Sequence, residues 1–398
     1  MESNKIYIGE NYSIMSSDYF REYYNKINFI YIDPPYNTSN NFFAYNDSNL
    51  KWVSDITKRL TVAKELLNDE GSIFISIDDN ELNNLLRICY KIFGVNNYVG
   101  LFITKQAIRS NAKHMNVIHE YILVFAKNKK FLPKFYIKRL DDPIEGPLIK
   151  NIIKKVSLAY NESKSNAVKI LKEQISKYVI DTGKTWIKNY SNIDDKGRIF
   201  FAKDLSTPSK PNELVIQEIG LHLKPLKTRG WSTKEKIIGL YKNNRLCFKN
   251  KRPYEIEYIE EATDNIYSIL NFYSRQGTND LKKMGLDGLF DTPKPVELIK
   301  FLIRASQHKD ALILDFYAGS GTTAQAVYEI NKVDKTNHKY ILIQMDELVN
   351  KKSKAYSVMC ELGYKEPKVS DVLVHRINTF LNLNNIKDNY VIKESKHG

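Results

Sequence analysis

Cysteine is scarce in this chain: three residues, Cys89, Cys247 and Cys360, lie far apart among 398. An odd number at such spacing supports neither a disulfide framework nor a zinc site, so small core residues in a reducing compartment are expected. No metal site is expected. No apolar run reaches the roughly 18 residues of a membrane-spanning helix. Residues 1–10 carry no basic-then-apolar signal, so the expected location is cytoplasmic, with no membrane partner. Acidic charge is in deficit: 46 Asp and Glu face 60 Lys and Arg, a formal charge of +14. With 42% hydrophobic residues the chain can bury a large core. Its length suggests two or three domains.

The basic excess is concentrated. Residues 127–252 hold 29 Lys and Arg against 12 Asp and Glu, a net +17, which leaves the remainder slightly acidic. A solvated lysine-rich surface would account for a high total. Concentration in one third of the chain favours a segment that meets a polyanion, where counterion release supplies affinity. Charge alone does not separate DNA from RNA.

The flanking segments alternate strand and helix. Residues 27–33 form a continuous apolar run, as expected of a strand buried on both faces. Trp52, Ile56, Leu60, Ala63 and Leu67 fall at helical spacing, and Gly71 is expected to end that helix. A second buried strand at 72–77 closes on Asp78 and Asp79, and a helix at 81–93 stops at Gly94. Strands at 98–104 and 120–126 suggest an antiparallel pair at the sheet edge. Beyond 127, Pro133, Pro143 and Pro147 interrupt the chain. A helix is expected at 163–180, with Val168, Leu171, Ile175 and Val179 on one face, followed by short strands and polar loops. From 292 the alternation resumes: helix 295–305 with Pro just inside its start, strand 311–316, helix 322–331 and strand 339–345. The prediction is one α/β domain, residues 1–126 and 253–398, interrupted by a basic insert at 127–252.

"ALILDFYAGSGTTAQAV" reads as strand, small-residue turn and helix start. Gly319 and Gly321 allow close backbone approach to a ligand, and the helix offers free N–H groups. No Lys-Ser/Thr follows Gly321, and Ala324 replaces the third glycine of the dinucleotide pattern. By itself the turn could be merely tight. The next strand, however, ends on Asp346 and Glu347, where a carboxylate can accept both hydroxyls of a ribose. A ribose-bearing cofactor without phosphate chemistry follows, and S-adenosylmethionine fits.

Asp33-Pro34-Pro35-Tyr36 ends a buried strand, and the carboxyl ends of such strands form the ligand crevice. An exocyclic amine on a base is a poor nucleophile because its lone pair is delocalised. A carboxylate and a carbonyl accepting its two N–H groups would favour a tetrahedral nitrogen. The Pro34 carbonyl sits on a rigid φ, and Tyr36 supplies a stacking face for a base taken out of its helix. Against this, Pro-Pro could simply end a strand while Tyr36 packs locally. The pairing of both motifs in one chain is far more specific than either piece.

The motifs "IYIDPPYNT", "FAYND", "GSIFISIDDNE", "HEYILVFAKN", "FDTPKPVELIKFLI", "LDFYAGSGTTAQAV" and "KYILIQMDE" stand in this order. In them the chain resembles the β-class DNA amino-methyltransferases, most closely the modification (Mod) subunits of type III restriction-modification systems. The resemblance covers nearly everything outside the central insert. It implies a Rossmann-like seven-stranded methyltransferase sheet with permuted motif order and an inserted target-recognition domain. It also implies adenine N6-methylation of double-stranded DNA from S-adenosyl-L-methionine, by base flipping and direct in-line transfer. Asp33, Pro34, Pro35 and Tyr36 would hold the adenine. Asp33, Lys294, Pro295, Asp315, Phe316, Tyr317, Gly319, Ser320, Gly321, Thr322 and Glu347 would bind cofactor, Tyr317 replacing the family's usual Phe. Residues 38–47 would form a loop that orders against DNA or cofactor. Asn37, Lys203, Lys227, Arg229, Lys234 and Arg252 are candidate DNA contacts. A restriction subunit and a homodimer are the further partners it admits, although the chain begins almost on its catalytic motif, where Mod subunits usually carry more sequence. Cytosine N4-methylation uses the same lone-pair logic; Ser is common at the Asp33 position there, so Asp favours adenine. A non-catalytic DNA-reading subunit is the alternative from another class.

Overall fold

Nine strands form one sheet in the computed structural model, which describes residues 3–38, 51–105, 114–142, 144–388 and 390–394. They are β1 (Lys5–Ile8), β2 (Ile27–Ile32), β3 (Leu67–Ile77), β4 (Tyr98–Lys105), β5 (His119–Ala126), β6 (Ile269–Tyr273), β7 (Leu312–Asp315), β8 (Lys339–Gln344) and β9 (Val391–Glu394). The order across the sheet is β6-β4-β5-β3-β2-β7-β8-β1-β9. Only β5 runs against its neighbours; β2, β7, β8 and β1 are mutually parallel. Nine strands replace the seven expected, because β6 adds outside β4 and β9 outside β1. The antiparallel pair β4–β5 therefore does not form the edge.

Alternation along each central strand feeds two cores. Phe29 and Tyr31 of β2 enter one, with the helices Val296–Ala305, Thr322–Asp334 and Val369–Leu383. Ile30 and Ile32 enter the other, with the helices Asn11–Met15, Trp52–Leu66 and Leu82–Phe93. This period-2 division is why the strand reads as unbroken hydrophobic sequence.

Gly71 does not end a helix. It lies inside β3, where an added Cβ would stand 2.8 Å from the Ile27 carbonyl oxygen. The close approach of β2 and β3 requires glycine there.

Residues Ile137–Asp264 make a second compact unit. It pairs two helices, Glu145–Glu162 and Lys164–Thr182, with a four-stranded antiparallel sheet. Ile149, Ile152, Val156, Leu171 and Ile175 are its buried centre. Pro147 interrupts nothing: it sits in the first turn of its helix, where the missing N–H has no intrahelical partner to lose. Counted over this unit, basic residues number 25 and acidic residues 17. Its net +8 is smaller than the +17 of 127–252, because strand Arg252–Tyr258 and its continuation are acid-rich. Of the cysteines, Cys89 alone is a core residue; Cys247 is half-buried and Cys360 exposed. No described helix is long and apolar enough to cross a membrane.

Candidate active site

β2 and β7 lie side by side, with Phe29 opposite Ile313 and Ile30 opposite Leu314. From β2 the chain continues toward β3, and from β7 toward β8 on the other side. Their carboxyl ends flank a topological switch point, where doubly wound sheets bind ligands. A cavity of about 370 Å³ opens there. Its walls are Asp33 and Pro35 beyond β2, Trp52, Asp55 and Arg59 of helix Trp52–Leu66, Phe316, Tyr317 and Gly319 beyond β7, and Gln344, Met345 and Glu347 at the end of β8.

Asp33 sits in a half-buried network of four residues. Its Oδ1 accepts the Tyr36 hydroxyl at 2.8 Å and faces the Lys294 ammonium at 3.2 Å. Lys294 also donates to Tyr36 at 2.7 Å and to Glu120 Oε2 at 2.6 Å. Tyr36 reaches the same Glu120 oxygen at 3.3 Å. Burial pushes the Asp33 carboxyl pKa up, with the Glu120 charge adding to it, while Lys294 and the Tyr36 hydrogen bond pull it back. Burial opposes the Lys294 charge, yet Asp33 and Glu120 hold its pKa well above the usual lysine range. We conclude that the ammonium is the counterion of a buried carboxylate pair.

The Asp-Pro-Pro-Tyr turn is braced from the next helix. The Trp52 indole donates to the Pro35 carbonyl at 2.7 Å. Trp52→Phe deletes that donor and shrinks a buried ring, and should cost at least about 1 kcal/mol in denaturant unfolding. An unchanged midpoint would show that the brace contributes nothing.

Around β7, burial pushes the Asp315 carboxyl up to about 7, although Thr323 and the Tyr317 amide donate to it. Gly319 adopts φ 52°, and its amide donates to Gln344 Oε1 at 2.8 Å. Asn11 donates to the Phe316 carbonyl at 2.8 Å and itself accepts from Arg59. This ties the turn to the helix that braces Pro35. Ser320 and Thr322 accept from the fully buried Arg376 at 2.6 and 2.8 Å. They support the turn from behind and do not line the cavity, nor do Asp315 and Gly321.

The two acids after β8 separate cleanly. Asp346 is engaged by Lys368 at 2.6 Å and Ser370 at 2.7 Å, whereas Glu347 lines the cavity. Lys294 stands on Asp33 and does not line the cavity; Pro295 caps the following helix. Asn37, with φ 60°, donates to Glu81 at 2.9 Å. In the second unit, Lys203 pairs with Glu257, Lys234 with Glu218 and Arg252 with Asp204. Arg229 bonds Ser206, and Lys227 is exposed. Residues 39–50, which hold most of the loop at 38–47, fall outside the described residues.

The family model described as DNA methylase, covering N6 and N4 enzymes, matches residues 27–354. The chain belongs to this DNA methylase family. Among curated relatives, the EcoPI Mod subunit of Escherichia phage P1, a type III restriction-modification enzyme, is 30% identical over 91% of the chain and 60% of its own length. The EcoP15I Mod subunit of Escherichia coli is 29% identical over 84% and 57% respectively. The type II methyltransferase M.KpnI of Klebsiella pneumoniae is 29% identical over 94% and 87%. The chain thus spans about three fifths of the Mod subunits it matches.

Sequence reasoning did not single out Glu120, Trp52, Asn11, Arg59, Gln344 or Arg376. Two left a signal. Glu120 lies inside the motif "HEYILVFAKN". Arg376 shares helical spacing with Leu373, Ile377 and Phe380, an arginine on an apolar face.

Proposed function

We propose that this chain is a site-specific DNA methyltransferase that methylates adenine N6 using S-adenosyl-L-methionine. One observation carries the proposal. Asp33 Oδ1 is held by Lys294 and Tyr36, while Oδ2 has no partner among the described residues, in the wall of a ligand-sized cavity. A fixed carboxylate with one spare acceptor suits an amine whose N–H must be held. The Pro35 carbonyl is taken by Trp52, which leaves the Pro34 carbonyl as the second acceptor. The Tyr36 ring, its hydroxyl tied into the network, is the surface on which the base stacks.

The cavity residues fit the cofactor by their chemistry. Phe290, Phe316 and Met345 give apolar walls for an adenine ring, and Glu347 a carboxylate for ribose hydroxyls. Asp33 and Asp55 suit its cationic groups, and Arg59 its carboxylate. A Cβ at Gly319 would come 3.5 Å from the Phe290 ring, so glycine keeps this wall open. When bound, the cofactor supplies an electrophilic methyl group.

The unit Ile137–Asp264 is assigned to target recognition, with Lys203, Lys227, Arg229, Lys234 and Arg252 as phosphate or base contacts. The three ion pairs there do not argue against this, since exposed pairs contribute only about 0–1 kcal/mol and phosphate can displace them. Likeness to Mod subunits supports a restriction subunit as partner, a paired copy of the chain, and action on cytoplasmic DNA. The test is transfer of label from tritiated cofactor to mixed-sequence duplex, followed by nucleoside analysis. N6-methyladenine is expected. N4-methylcytosine would overturn the adenine assignment, and absence of transfer despite cofactor binding would favour a DNA-reading subunit.

A further inference from the structure

Methylating an amine leaves a proton to be placed. The nitrogen lone pair forms the bond to the methyl carbon, the carbon–sulfur pair stays on sulfur, and the nitrogen then holds one proton too many. Asp33 can accept that proton, but it must be cleared for the carboxylate to act again.

The cluster around Asp33 has the parts to clear it. Tyr36 donates its hydroxyl to Asp33 at 2.8 Å and lies 3.3 Å from Glu120 Oε2, so one hydroxyl bridges two carboxylates. Lys294 contacts all three partners, with side-chain exposures of 12% for Lys294 and 13% for Glu120. Within this trio two carboxylates share one ammonium, and taking up one proton leaves one carboxylate for the one ammonium, the cheaper arrangement for half-buried groups.

We propose that Glu120 is the acceptor of the proton released by amine methylation, reached from Asp33 through the Tyr36 hydroxyl. In this relay the proton from the nitrogen goes to Asp33 Oδ2, the carboxyl turns to bring that O–H to Tyr36, the Tyr36 hydroxyl turns its own proton from Asp33 to Glu120, and Tyr36 is refilled from Asp33. Atoms and charge balance: one N–H bond is lost and one Glu120 O–H bond is gained. Lys294 holds the three oxygens together. Tyr36 thus has a chemical role besides stacking, and Glu120 enters the reaction although it lies on β5, far from either sequence motif. Among the described residues, the ionisable groups facing the cluster include Tyr31, Asp78 and Asp315.

The inference rests on the methyltransfer reading, and the experiment separates the two. Single-turnover transfer is measured against pH for the wild type, Glu120→Gln, Tyr36→Phe and the double variant. Glu120→Gln should bind duplex and cofactor within about twofold of wild type and transfer at least about tenfold more slowly. The double variant should be no slower than the worse single one, because both interrupt one path. Glu120→Ala should recover rate with added formate. Wild-type transfer with an unimpaired Glu120→Gln, or additive losses in the double variant, would overturn the relay. Failure of the wild type to transfer at all would instead overturn the methyltransfer reading.

Discussion

Asp33→Ala is expected to slow single-turnover methyl transfer by about 10²–10³-fold or more, with duplex affinity within about threefold of wild type. The asymmetry follows from where the residue sits. Phosphate contacts supply most affinity for DNA, and an anionic side chain in the cavity wall is no candidate for one. Its carboxylate is instead held at the end of β2, with one oxygen fixed by Tyr36 and Lys294. Alanine removes the acceptor that orients the amine and leaves Tyr36 and Lys294 to collapse onto Glu120. Asp33→Asn separates charge from shape: it keeps an acceptor oxygen but loses the negative charge, and should also be severely slowed. Anisotropy titrations with labelled duplex and quenched-flow transfer measure the two quantities. Turnover near wild type in Asp33→Ala would refute the assigned role.

Lys294→Met should have the next largest effect, on stability and on pH dependence together. Methionine fills similar space but leaves the half-buried Asp33 and Glu120 without their ammonium. Breaking a fully buried pair costs about 3–5 kcal/mol, and with the Asp33 side chain 28% exposed about 1–3 kcal/mol is expected. The sign with pH can be worked out. In the wild type, burial and Glu120 raise the Asp33 pKa while Lys294 lowers it; without Lys294 it rises further. A carboxyl whose folded pKa exceeds its unfolded value favours the fold when protonated and disfavours it once ionised. The deficit of the variant should therefore be small in acid and grow as pH rises through neutrality. The transfer rate, which needs ionised Asp33, should have its acid limb displaced to higher pH. Denaturant unfolding across pH and a pH–rate profile measure these. A pH-independent stability deficit with an unshifted limb would show that Lys294 is mere packing.

Much of the frame was legible because its signals are local. The apolar runs of β2, β7 and β8, the helical spacing of Trp52, Ile56, Leu60 and Ala63, and the glycines after β7 all act within a dozen residues. Elements lacking such signals were harder to see. β1 is four residues long, and β9 is four exposed residues at an edge. The helix Glu145–Glu162 was obscured by Pro147, although its apolar residues recur at helical spacing.

The chain's residues alone determined that a stiff Asp-Pro-Pro-Tyr turn and a glycine turn each end a buried strand, because strand burial and turn stereochemistry are short-range matters. Only the tertiary structure decided what meets what. Parallel pairing of β2 with β7 sets the two turns at one crevice, and antiparallel β5 brings Glu120 to the same end. Lys294, given only by resemblance as a cofactor-side residue, is placed between Asp33 and Glu120. Asp346 and Glu347 are adjacent in sequence, yet one is tied to Lys368 and Ser370 while the other lines the cavity. The partner of a charge depends on distance in space and on exclusion of water, and neither is encoded within the reach of a local sequence pattern.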